Sequence, residues 1–267
     1  AALTEADIDS LLTAGLNVAV YDTVTNSIDH VWARSDQGEI SFTKYHYDSG
    51  GRLVYTITGA SRTEVENLAG VTIDNANSLT ETDAETLLTA GMSIAVYDTE
   101  SNRVDHVWGR DDSGAVSFTK YHYDELGKLV YTVSGDNRTS VEGLSGITAD
   151  NVSSLTEADI SALLDVNMSI AVYDTINNRI AHVWSVGQDG DTSFTQYFYD
   201  SNGRLSYTLT GESRTDIQAV TGITPLNVSH LSENDIAAVL SNGMSLAVYD
   251  TANNRIDHAW NLNQSGT

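Results

Sequence analysis

Fourteen residues beginning at Ala19, AVYDTVTNSIDHVW, return as AVYDTESNRVDHVW from Ala95, AVYDTINNRIAHVW from Ala171 and AVYDTANNRIDHAW from Ala247. The starts are 76 residues apart each time, with no insertion or deletion between copies. A strict period of this length predicts tandem modules, each resting its hydrophobic face partly on its neighbours. The modules run 3–78, 79–154 and 155–230, and a half module follows at 231–267.

Each module opens with a helix whose ends are written in the sequence. Thr4, Thr80, Thr156 and Ser232 are N-caps, each with an aspartate three residues on to close a capping box. Gly15, Gly91, Asn167 and Gly243 are the stops, the two residue types that tolerate a left-handed C′ position. Four strands follow, A over 16–22, B over 28–34, C over 40–47 and D over 53–58, all rich in β-branched and aromatic residues. Asn26, Asn102, Asn178 and Asn254 fit the A–B turn, and Gly51, Gly127 and Gly203 fit the bulged C–D turn. A second short helix starts after Ser61, Asn137 or Ser213 and ends at Gly70, Gly146 or Gly222. The expected fold class is therefore α+β, with a capped helix, a four-stranded antiparallel meander and a short helix in each module. The alternative is a β-propeller with helical insertions, which also wants both sheet faces apolar.

Strand register is argued from charge. Asp29 accompanies Lys44 and Asp105 accompanies Lys120, whereas the third module has Ala181 with Gln196, so the paired residues are expected to oppose each other directly. That register puts Val18, Val20, Ile28, His30, Trp32, Tyr45, Tyr47, Leu53, Tyr55 and Ile57 on the core face. Ala19, Tyr21, Val31, Ile40, Phe42, Lys44 and His46 then share the other.

The chain carries 37 acidic and 13 basic residues, a net charge of -24. Such a charge repels phosphate backbones and anionic lipid surfaces, which argues against nucleic-acid partners and membrane insertion. No apolar run approaches the ~18 residues of a membrane span. The absence of cysteine removes disulfides, thiolate metal sites and cysteine nucleophiles.

Four tryptophans occupy one position of the repeat, each two residues after a histidine: His30 and Trp32, His106 and Trp108, His182 and Trp184, His258 and Trp260. With Tyr45 and Tyr55 they are either an aromatic core or one weak sugar-stacking site per repeat, the latter making a multivalent, lectin-like glycan binder. His46 and His122 with Asp29 or Asp105 are weighed as metal ligands, but the third module replaces them with Phe198 and Ala181, and no metal site is assigned. Asp36, Asp111, Asp112 and Asp189, beside glycines, suit hairpin turns and would also suit calcium, the one cofactor considered. Arg62, Arg138 and Arg214 are expected to tie the short helix to the sheet. No HExxH, GxSxG, Walker or dinucleotide motif is present, so no catalytic residue is named and a non-enzymatic role is expected; a hydrolase with paired carboxylates is the remaining enzymatic reading.

Tyr45-His46-Tyr47-Asp48-Ser49-Gly50-Gly51-Arg52-Leu53, with its copies YHYDELGKL and YFYDSNGRL, resembles the YD repeats of Rhs-type and teneurin-type secreted proteins. The match covers about ten of each 76 residues, and those families repeat the element at shorter intervals without helices between. The resemblance implies an extracellular or cell-surface repeat protein, bacterial in origin, and transfers no active residue. In the half module, strand B is expected to end as an open edge bearing Ile256, His258 and Trp260. Either the chain is cut from a longer array or the edge is completed by strand addition from another chain, building a structural or adhesive filament by self-association.

Overall fold

The computed structural model describes residues 5–35, 38–240, 243–253 and 255–261. Thr4, Asp36 and Asn254, assigned roles above, lie outside them. Two compact units are formed, one by Ala1–Lys120 with Asp136–Thr139, the other by Tyr121–Gly135 with Ser140–Thr267.

The first unit begins with α1 (Glu5–Thr13), β1 (Val18–Tyr21), β2 (Ile28–Arg34), β3 (Ile40–Tyr47), β4 (Leu53–Gly59) and α2 (Arg62–Glu66). It continues with α3 (Glu81–Leu87), β5 (Ser93–Asp98), β6 (Arg103–Arg110) and most of β7 (Val116–Tyr123). The second unit holds β8 (Leu129–Gly135), most of α4 (Arg138–Gly143), α5 (Glu157–Leu163), β9 (Ser169–Asp174), β10 (Arg179–Val186) and β11 (Thr192–Tyr199). Its remaining elements are β12 (Leu205–Gly211), α6 (Arg214–Ala219), α7 (Glu233–Val239), β13 (Ser245–Asp250) and β14 (Arg255–Asn261). Strand neighbours are chain neighbours and all are antiparallel, from β1 to β7 in one unit and from β8 to β14 in the other.

The expected helix, four-stranded meander and short helix form in each complete repeat, but the chain is mostly β, with helices of five to nine residues. The propeller alternative is not formed: among the described residues β1 pairs with β2 alone and β14 with β13 alone. Strand D of one repeat pairs with strand A of the next, as in Tyr55↔Val96 and Ile57↔Ile94, so the sheet runs on across repeat boundaries.

Local signals in the sequence form as written. Thr80, Thr156 and Ser232 each close a capping box with Asp83, Asp159 and Asp235. Gly15, Gly91, Asn167 and Gly243 have φ of 77°, 76°, 62° and 82°, and Asn26, Asn102 and Asn178 are also left-handed. The last three of the expected helix stops are nevertheless not C′ residues, because α3, α5 and α7 end at the extended caps Leu88, Leu164 and Leu240, three residues earlier. The short helix ends before its glycine: α2 stops at Glu66, and Gly70 belongs to a loop pinned by Asn75. The Asn75 side chain accepts from Thr72 N at 2.7 Å and donates to the Gly70 carbonyl at 2.7 Å, and Asn151 and Asn227 repeat this.

The expected B–C register is off by one residue. His30, not Asp29, opposes Lys44, and Trp32 opposes Phe42. A β-bulge is the reason: Val20 pairs with His30 and Tyr21 with Ile28, leaving Asp29 as the extra residue on β2. The bulge brings the Asp29 carboxylate to Lys44 although the two are not directly opposed. A one-residue slip turns a whole strand over, so Phe42, Lys44 and His46 join His30, Trp32, Tyr55 and Ile57, while Tyr45 goes to the opposite face with Val31, Thr43 and Thr56.

Helices cover the Trp–Phe face. An added Cβ on Gly59, which opposes Phe42, would come within 3.1 Å of Val65 of α2 and of Met92, and Gly211 opposite Phe194 is crowded in the same way by Ile217 and Met244. Phe42, Phe118, Phe194, Trp108 and Trp184 are fully buried in this layer.

Candidate functional site

The site residues named from sequence fall in one recurring cluster. In the first repeat Trp32 packs edge-on to Phe42 at 4.7 Å and His30 tilts against the same ring at 5.1 Å. His106, Trp108 and Phe118 reproduce this in the second repeat, and His182, Trp184 and Phe194 in the third. Trp108 and Trp184 retain no exposed surface and Trp32 retains 8%, so the ring faces that would stack a sugar are covered by protein. Tyr55 lies on this face and Tyr45 does not.

Beside each buried histidine the sequence sets a different polar arrangement. Asp29 is held between His30 Nδ1, 2.6 Å from one carboxylate oxygen, and Lys44 Nζ, which donates to the other at 2.6 Å. Burial raises the Asp29 pKa, but the Lys44 and His30 hydrogen bonds outweigh it and hold the carboxyl below its ordinary range. In the second repeat Lys120 donates to both oxygens of Asp105 at 2.8 Å and His106 Nδ1 is 2.7 Å away. The His106 bond chiefly, against the opposing effect of burial and with Lys120 assisting, brings Asp105 down to about 2. The third repeat has Ala181 and Gln196 instead. Burial and then the nearby Arg214 charge push His182 down to about 4, leaving a neutral imidazole at physiological pH. Chemically the first two clusters are ion-pair networks, with His106 Nε2 left without a partner, and no substrate surface reaches the fully buried His106.

The groove of about 630 Å³ lined by Asp22, Ile28, Asp29, Lys44, His46 and Asp48 opens on the first of these clusters. Its acids are already engaged: Asp22 accepts from Val24 N and Thr25 N, and Asp48 from Gly50 N and Arg52 N. Asp111 likewise accepts from Ala115 N and Ser113 Oγ, and Asp189 from Asp191 N. Among the described residues no three His, Asp or Glu side chains group as metal ligands. His46 and His122 instead stack face to face on Tyr55 and Tyr131 at 4.3 and 4.2 Å, and Phe198 stacks on Tyr207 at 4.3 Å. What the position requires is a flat ring, which phenylalanine supplies equally. The tyrosine in turn donates its hydroxyl to Val71, Ile147 or Ile223 carbonyls at 3.1–3.2 Å, and burial pushes Tyr207 up to about 12.

Arg62, Arg138 and Arg214 each lie over a sheet phenylalanine as expected. Arg62, 5.9 Å from the Phe42 ring, gives its hydrogen bond to Glu66 of its own helix at 2.9 Å, while the other two bond the start of the preceding helix. Arg138 lies over the Phe118 ring at 5.3 Å, its Nη1 donates to the Leu79 carbonyl at 3.0 Å, and its backbone N–H donates to Glu81 Oε1 at 2.6 Å. Arg214 does the same with Phe194, Leu155 and Glu157.

The half module differs. Ile256 is 57% exposed, and the His258 and Trp260 rings, 5.9 Å apart, meet no phenylalanine. Asp257 still reaches His258 Nδ1 at 2.9 Å.

No family model matches the chain, and no curated protein matches it. Among solved structures it is similar to a chain of the Photorhabdus luminescens Tc holotoxin pore, with 13% identity, a TM-score of 0.25, and coverage of 74% of this chain and 9% of that one. A chain of a TcdB2–TccC3 crystal structure gives 12% identity and a TM-score of 0.25, with 87% of this chain and 11% of that one covered. Similarity at this level assigns neither a fold family nor an activity. No helix among the described residues is long and apolar enough to cross a membrane.

Proposed function

We propose that this chain is a non-enzymatic structural repeat protein of the bacterial cell surface or extracellular space, associating with itself through sheet edges. The observation that carries this reading is the repeat boundary itself. Strand D pairs with the next strand A at β4–β5, β8–β9 and β12–β13, in the same register each time, so growth by edge pairing is already how one repeat joins the next. The recurring polar groups support it too, since each serves turns, caps or the Trp–Phe layer in several repeats alike. Mass measured by sedimentation over a concentration series should show association, and Ala259→Pro, which removes an N–H from the edge strand β14, should reduce it. A chain that stays monomeric at every concentration, with or without the proline, would count against self-association.

A further inference from the structure

Strands β6, β10 and β14 begin with an arginine, at Arg103, Arg179 and Arg255, and the first repeat has Ser27 at that position. The third repeat shows what the arginine does. The Arg179 guanidinium lies over the Tyr199 ring at 4.2 Å, and its Nε stands 3.6 Å from Asp174 Oδ2, in the turn between β9 and β10. Its Nη1 extends toward the turn between β11 and β12, 3.9 Å from where a Cβ on Gly203 would lie. One planar cation thus reaches both turns across an aromatic ring, joining an ion pair to a cation–π contact.

The first repeat keeps the partners of that cation and lacks the cation. Asp22, Tyr47 and Gly51 stand in the places of Asp174, Tyr199 and Gly203, two periods earlier. A serine side chain has neither the charge nor the length to cover the ring. These three residues and Ser27 line the groove of about 630 Å³, and all its lining residues fall within 22–51, inside one complete repeat. The turn bonds to Asp22 do not close it to a cation, since Asp174 accepts from Ile176 N and Asn177 N in the same way and still pairs with Arg179. Asp29 is paired with Lys44 at 2.6 Å and Asp48 with Arg52 at 2.8 Å, which leaves Asp22 as the acid that an incoming cation meets. Lysine in the wall is no bar, because the second repeat sets Lys120 and Arg103 in the matching places.

We propose that the groove of the first repeat binds a guanidinium from outside the chain, the side chain of an arginine, with its plane over Tyr47 and its N–H groups toward Asp22 and the Gly51 turn. The occupant is argued from the third repeat, where the same residue types hold the same group. The site goes beyond the structural reading above and stands without it.

The probe is ethylguanidinium chloride, added to the full chain below unfolding concentrations and followed by amide NMR. Amides of residues 22–28 and 49–52 should shift saturably, while those of 174–180 and 202–204, where Arg179 already fills the place, stay unmoved. Ethylammonium chloride at equal ionic strength should bind about tenfold more weakly, because it carries the charge without the planar face. Ser27→Arg should remove the response by filling the groove from within. Arg179→Ser should do the reverse and create a second saturable site beside Tyr199. Asp22→Asn keeps an oxygen for the Val24 and Thr25 N–H groups and should weaken the first site roughly threefold. An acetylated and amidated arginine peptide that binds more tightly than free arginine assigns the ligand to another polypeptide, and the opposite order assigns it to the free amino acid; either order upholds the site. No saturable shift around Ser27, an equal response to ethylammonium, or a response that survives Ser27→Arg in a folded chain would overturn the proposal, as would a folded Arg179→Ser chain that gains no second site.

Discussion

The second and third repeats hold the same Trp–Phe packing beneath different polar chemistry. In the second, Asp105 bridges His106 and Lys120 in a network with every charge partnered. In the third, the acid and the cation are both gone, and His182 is a neutral ring near the Arg214 charge; the imidazole Nε2 finds no partner in either repeat. Ring geometry barely responds: His to Phe is 5.1 Å in one and 5.2 Å in the other, Trp to Phe 4.8 and 4.7 Å. Packing of the aromatic layer therefore fixes the fold here, and the ion pair is an addition that a repeat can lose if both partners leave together.

If packing dominates, the largest effects are equal in the two repeats. Trp108→Ala and Trp184→Ala should each destabilise by about 3–5 kcal/mol, the range for emptying a buried aromatic site, as measured by urea unfolding. A large disparity between them would break the equivalence.

Acid separates the repeats. His182 has a folded pKa of about 4 against roughly 6.5 when unfolded, so its contribution is present above pH ~6.5 and is lost as pH falls toward 4. It amounts to about 3 kcal/mol. Asp105, lowered to about 2, contributes only about 1 kcal/mol after screening of its partly exposed carboxylate, lost between pH ~4 and 2. In an NMR titration toward acid, the His182 resonances should move before those of the Asp105 carboxyl.

Exchanging the polar sets sharpens the point. Asp105→Ala or Lys120→Gln alone leaves one partner stranded, while the double change recreates the third repeat, so a double-mutant cycle should give a coupling of about 1 kcal/mol. The smallest expected effect is electrostatic. Arg214→Ala should raise the His182 pKa by removing the positive charge that helps to depress it, read in the same titration.

Much of this was legible from residues. Strands B and C of the first repeat match their expected bounds, 28–34 and 40–47, and the capping boxes of Thr80, Thr156 and Ser232 form. Asp29 with Lys44 was rightly read as a pair and wrongly as a direct opposition, because a bulge adds a residue without leaving a glycine or proline to mark it. Phe42 and Phe194 could have been placed with Trp32 and Trp184 by another signal: each recurs with Gly59 or Gly211 seventeen residues on, a small residue opposite a large one. The Asn75 pin on the connecting loop went unread because an Asn among Thr and Asp suits many turns.

By itself the sequence determined the period, the strands, the caps and turns, and which residue types vary together, since each depends on short-range backbone preference or on identity between copies. Only the tertiary structure decided which face of strand C is buried, and so that Trp108 and Trp184 lie closed within a helix-covered layer while Tyr45 lies opposite. Side chains alternate with a period of two, so one bulged residue at Asp29 reverses every assignment on the strand that follows, and that bulge exists only in the pairing between strands.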